Sequence, residues 1–221
     1  MNGLEPIYHK LYEAYGSQGW WPLNRKYSGK VNLNNKERFE VCLGAILTQN
    51  TSWSNVNKVL NELRKNNLID QEKLSSINII KLASLIKSSG YNNQKAKKIK
   101  EFIKFLDSEK EINRENLLAI WGVGEETADS ILLYAYQEPI FVIDTYTKRI
   151  FSRLGVCQDN ISYKELQEIF HENLKKDSKF FNEYHALIVE HAKRYCNKRP
   201  LCSSCILNKQ CKHFKKSTKV L

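Results

Sequence analysis

No apolar run in the 221-residue chain approaches the ~18 residues needed to cross a bilayer, so no membrane span is expected. The start, MNGLEPIYHKLYEAYG, lacks the basic stretch and apolar block of a secretory signal, and a cytoplasmic location is expected. No convincing alternation of apolar and polar residues appears, which argues against a sheet-based fold. Self-similarity at a period of about 20–50 residues is lacking, and with it any repeat array. No low-complexity tract is present. Alanine is scarce while Asn and Lys are abundant, a balance that fits AT-biased coding.

What is present is helical. The chain is 42% apolar and 11% aromatic, enough for a sizeable core. Residues 4–15 place Ile7, Leu11 and Tyr15 on one face, and SWSNVNKVLNELRKNN does the same with Val56, Val59, Leu60 and Leu63. ERFEVCLGAILTQ is a strongly apolar helix with Gln49 at its C-terminal end. Further helices are expected near 71–76, 78–88, 92–107, 113–120, 125–136, 145–154, 163–175 and 180–195. GSQGWWPLNRKYSGKVNLNN reads as a long loop, IFVI at 140–143 as a buried connector, and FKKSTKVL as a short basic tail, either frayed or near a phosphate backbone. The expected class is all-α.

Net charge is +11, from 35 Lys+Arg against 24 Asp+Glu, a surplus that suits a polyanionic partner. Of six cysteines, Cys42 and Cys157 stand alone as inert core thiols, while Cys196, Cys202, Cys205 and Cys211 follow C-x5-C-x2-C-x5-C. Four thiolates in one loop satisfy either Zn2+ or a [4Fe–4S] cluster. Lys198 and Arg199 interleave with them, as phosphate contacts would. His185 and His191 lie six residues apart on one helix, on opposite faces, which argues against a shared metal. His9, His171 and His213 read as surface or packing residues.

Trp121-Gly122-Val123-Gly124 joins two short apolar helices. Glycines there permit a tight corner, and they also bare N–H groups at a helix start, where an anion binds well. LLAIWGVGEETADSILLYA resembles the helix-hairpin-helix of DNA repair glycosylases, and PIFVIDTYTKRIFSRLG resembles the segment that follows it there. LGAILTQNTSWSNVNKVL and SGYNNQKAKKI resemble two further segments of endonuclease III relatives. The similarity runs from about Trp20 to Cys211 in the order of that family.

The resemblance implies a two-lobe glycosylase fold, with a helical barrel over 30–138 and a second lobe from 1–29 plus 139–221, the cleft between them near Asp144. Asp144, by itself an N-cap, matches the family's catalytic Asp. Bifunctional members carry a Schiff-base lysine where this chain has Glu126, so a monofunctional glycosylase is implied. WWP, LTQNTSW and this Glu resemble the 3-methyladenine branch: Trp21 and Trp53 would sandwich a flipped base, with Trp20 and Pro22 shaping the wall. Gln49 would fill the space the nucleotide leaves, and Gly122, Val123 and Gly124 would grip the backbone. Endonuclease III uses C-x6-C-x2-C-x5-C for [4Fe–4S]. Here the first gap is one residue shorter, and zinc is the alternative.

The implied partner is damaged double-stranded DNA, bound by a monomer, with no membrane. Two other functions stay open. One is removal of oxidised pyrimidines or mispaired bases. The other is structure-specific DNA binding without catalysis.

Overall fold

The computed structural model describes residues 3–23 and 32–218. Part of the long loop, the boundary expected at residue 30 and the end of the basic tail lie outside them. Among the described residues the regular structure is helical throughout. In chain order the helices are α1 (Leu4–Tyr15), α2 (Asn35–Thr48), α3 (Trp53–Lys65), α4 (Gln71–Ser76), α5 (Ile79–Leu85), α6 (Asn92–Asp107), α7 (Arg114–Leu118), α8 (Glu125–Ser130), α9 (Thr145–Leu154), α10 (Tyr163–Asn173), α11 (Ser178–Arg194) and α12 (Lys212–Thr218). The chain packs as two units, one holding α1 and α9–α12, the other α2–α8.

In the second unit α2 is the central rod. Phe39, Val41, Cys42, Leu43, Ala45, Ile46 and Leu47 are all buried, because α3, α6 and α8 with its extension cover the helix on several sides. A reciprocal capping box starts it: Asn34 Oδ1 accepts the Glu37 N–H at 3.0 Å, and Glu37 Oε2 accepts the Asn34 N–H at 2.9 Å. Its far end is held by the buried Lys95 of α6, whose ammonium donates to the carbonyls of Leu47 at 2.8 Å and Ser89 at 2.6 Å. A cation there also meets the negative end of the helix dipole. Burial nevertheless lowers the Lys95 pKa to about 8, with Lys98 adding to the effect.

One helix departs from its expected form. The segment 125–136 runs as α8 and then widens into a π turn over Ile131–Ala135, closed by Tyr136 N–H to Ile131 C=O at 3.3 Å. All five residues of that turn are buried, and they pack against α2.

The first unit is built on rings. Phe141 stacks on Phe170 at 3.9 Å between centroids and meets Phe181 edge-on at 5.2 Å. Phe151 meets Phe170 edge-on at 4.9 Å. Burying each such ring contributes about 1.5–3 kcal/mol. Tyr184, also buried, donates its hydroxyl to the Leu4 carbonyl at 2.7 Å and so ties α11 to α1. Two small expectations change. Cys157 is only partly buried, unlike Cys42, because it lies in the turn after α9. Residues up to 218 of the basic tail are helical, as part of α12.

Candidate functional site

The hairpin between α7 and α8 is tied from both sides. Arg114 of α7 donates from Nε to Asp129 Oδ1 at 2.7 Å and from Nη2 to Oδ2 at 3.3 Å, with a third bond to Glu125 at 3.2 Å. Asp129 is wholly buried, and this pairing offsets the cost of taking its charge out of water. Within the turn, Val123 N–H donates to the Ile120 carbonyl at 3.0 Å, and both side chains tuck inward. Gly122 has φ +83°, in the left-handed region, and a Cβ there would fall 2.6 Å from Lys98 Cε. Glycine is therefore required twice, by conformation and by the lysine chain lying against it.

Gln49, at the end of α2, reaches into this turn. Its Nε2 donates to the Gly122 carbonyl at 3.1 Å and to Thr127 Oγ1 at 2.9 Å. Its Oε1 accepts from the Lys98 ammonium. The amide is a brace between α2, α6 and the hairpin in this state. Glu126 is exposed at the start of α8.

In the other unit, Asp144 is the N-cap of α9 and only 9% exposed. Its Oδ1 accepts both the Thr147 N–H at 2.7 Å and the Thr147 hydroxyl at 2.8 Å. Oδ2 lies 3.7 Å from His185 Nε2 on α11. Burial lowers the His185 pKa, while the Asp144 charge opposes that shift. The connector 140–143 before Asp144 is neither helix nor strand, yet three of its backbone groups are met by α10: Phe141 N–H donates to His171 Nε2 at 2.9 Å, Gln167 Nε2 donates to the Phe141 carbonyl at 2.7 Å, and Ile143 N–H reaches Tyr163 Oη at 3.3 Å. Asp144 thus stands on a backbone held rigidly by side chains.

Trp20 and Trp21 belong to the unit of Asp144. Their rings lie 5.0 Å apart, and Trp21 is 5% exposed while Trp20 and Pro22 are half-buried. Trp53 is the first residue of α3, in the hairpin's unit, and is half-buried.

The cysteine loop docks on α9. Arg149 Nε donates to the Cys196 carbonyl at 2.7 Å. Arg153 Nη1 donates to Cys196 Sγ at 3.3 Å and the Asn197 carbonyl at 2.8 Å. Cys211 Sγ lies 3.3 Å from the Arg153 carbonyl, and Cys205 Sγ lies 3.5 Å from His191 Nε2. Burial raises the Cys202 and Cys205 thiols, and the neighbouring thiols of the loop add to it. Among the described residues no three His, Cys, Asp or Glu side chains are grouped so as to hold a single metal ion. Lys198 and Arg199 are exposed on this loop.

Sequence reasoning missed four participants: His185 beside Asp144, Lys98 beside Gln49, and Arg149 and Arg153 beneath the cysteines. The last two lie four apart on one helix, a spacing that places them on one face. His185 had no comparable local signal.

The family profile described as HhH-GPD superfamily base excision DNA repair protein matches residues 43–176. An inferred DNA repair glycosylase of Methanocaldococcus jannaschii is 44% identical over 93% of this chain and 94% of its own. Endonuclease III of Sulfolobus acidocaldarius is 31% identical over 97% of each chain. Among solved structures, the H. pylori 3-methyladenine DNA glycosylase (MagIII) bound to 1,N6-ethenoadenine aligns with TM-score 0.74 and 28% identity, covering 88% of this chain and 98% of that one. An endonuclease III–DNA complex aligns with TM-score 0.81 at 21% identity, over 97% and 96%, and so shares the fold.

Proposed function

The chain belongs to the HhH-GPD superfamily of base excision DNA repair proteins and is a DNA glycosylase, and on that premise we propose that it acts without strand cleavage on an alkylated purine such as 3-methyladenine. The observation that carries this reading is Glu126 at the position of the Schiff-base lysine, together with the aromatic segments around Trp21 and Trp53. A carboxylate there cannot attack the sugar as an amine does. The similarity to the 3-methyladenine glycosylase, over nearly all of that protein, supports the same choice of base.

Asp144 does the chemistry. Breaking the N-glycosidic bond builds positive charge on the sugar, and a carboxylate in a sheltered site stabilises it. Thr147 holds Oδ1, which leaves Oδ2 to accept a proton from the attacking water. A cationic base departs without an acid, and it stacks well on indole, the role given to Trp21 and Trp53. Lys198, Arg199 and the hairpin from Gly122 to Gly124 contact phosphates, and Gln49 enters the base stack after giving up its bonds to the turn.

Cys196, Cys202, Cys205 and Cys211 would hold a [4Fe–4S] cluster, which would pin the cationic loop in place. The donor set is four thiols of one loop docked on α9, chemistry that suits either group, and the resemblance of their spacing to that of endonuclease III favours the multi-iron cluster over a single Zn2+. Iron and sulfide near stoichiometry, with visible absorbance, support the cluster. Stoichiometric zinc in a colourless protein overturns it.

The deciding experiment presents duplexes carrying 3-methyladenine, 7-methylguanine, thymine glycol, uracil and mismatches, scoring free base and nicks separately. Alkylated purine released without nicking is expected. The second reading, oxidised-pyrimidine release with nicking, draws on the identity with endonuclease III. Thymine glycol released with direct nicking would establish it and overturn the first. Tight binding with no base released from any duplex would leave only a DNA-binding role.

A further inference from the structure

The hairpin carries an indole that neither the fold nor the proposed chemistry uses. Ile120 and Val123 do the packing of the turn, at 7% and 6% exposure, while Trp121 between them and the glycines remains 47% exposed. A large aromatic at a tight corner is usually turned inward, since its burial is worth more than that of any other side chain. Here the ring is held by a cation: the Lys97 ammonium sits 4.2 Å from its centroid. Lys97 and Lys98 are adjacent on α6, and Lys98 lies along Gly122. Among the described residues no carboxylate pairs with either lysine. Glu125 of the hairpin is taken by Arg114, and Glu101 of α6 by Lys104.

We propose that Trp121 and Lys97 form one composite contact for a strand of duplex DNA, an inference that rests on the glycosylase reading. Lys97 receives a backbone phosphate. Its ammonium leaves the ring face as it does so, and the adjacent deoxyribose packs on the indole. Exposed cation–π pairs are weak, so a phosphate displaces the ring readily. The chemistry that selects this partner is the pairing of unneutralised cations with an apolar aromatic face. A sugar–phosphate chain offers the same alternation of charge and apolar surface.

The test is equilibrium binding of the full-length protein to a short duplex with a tetrahydrofuran abasic analogue, and to its undamaged counterpart, over a salt series. K97A lowers the slope of log K against log salt by about 0.9, the loss of one phosphate contact. W121A weakens binding to both duplexes about tenfold and leaves the slope unchanged, because the lost contact carries no charge. W121F keeps the apolar face and recovers most of the affinity. DNA quenches tryptophan emission in the wild type, and the share due to Trp121 disappears in W121F, a readout that stands even where W121A fails to fold.

Equal quenching in wild type and W121F, or W121A binding like the wild type, overturns the inference while leaving the glycosylase reading intact. A wild-type protein without affinity for either duplex overturns both.

Discussion

Replacing Asp144 separates its two jobs, because the same carboxylate starts a helix and carries a charge. Asp144→Ala removes the N-cap of α9, which costs about 1 kcal/mol. It also leaves the wholly buried Thr147 hydroxyl without its acceptor, at about 1–3 kcal/mol more. A loss of about 2–4 kcal/mol in a chain of this length lowers Tm by roughly 5–15 °C. Asp144→Asn keeps an oxygen in place for both donors, so its Tm falls by no more than about 4 °C. The neutral amide nonetheless cannot stabilise a sugar cation or take a proton from water, and base release slows by roughly 100-fold to 10,000-fold. Differential scanning fluorimetry reads the first effect. Single-turnover release of 3-methyladenine, quantified by chromatography, reads the second. The reasoning is refuted by an Asn variant that works within about tenfold of the wild type, or by an Ala variant as stable as the wild type.

Arg114→Met takes two bonds from the buried Asp129 carboxylate and is expected to cost about 3–5 kcal/mol, seen as a lower urea midpoint, while Asp129→Asn costs less because the exposed part of Arg114 stays hydrated. His185 has a folded-state pKa below its unfolded value, so the unfolded chain binds more protons over that interval. Its contribution is therefore complete above about pH 6.5 and is lost as pH falls toward the folded pKa; Tm of the wild type should drop between pH 7 and 5 more steeply than that of His185→Asn. Glu126→Lys places an amine in the lysine position: borohydride should trap a covalent DNA adduct with the variant and none with the wild type, and an adduct in the wild type refutes hydrolysis by water.

Local information was enough for the fold class. Periodic apolar residues such as Val56, Val59, Leu60 and Leu63 can be buried only on one side of a helix, and all four are. One helix start was equally legible, since Asp144, read as an N-cap, does cap α9. Helical spacing also put His185 and His191 on opposite faces. It could not say that one face meets Asp144 and the other meets Cys205.

The residues around the candidate site were decided at longer range. Gln49 read as the polar end of a helix. Its bonds to Gly122, Thr127 and Lys98 exist because α2, α6 and α8 converge there, and no spacing along the chain records that. The stretch 140–143 has the composition of a buried strand and pairs with no strand among the described residues. His171, Gln167 and Tyr163 meet three of its backbone groups, and their reach was set by how α10 docks. Periodicity is a property of neighbours a few residues apart, so the chain determined its own helices and their inward faces. Which side chains then face each other across helices depends on packing between segments far apart in the chain, and only the tertiary structure decided that.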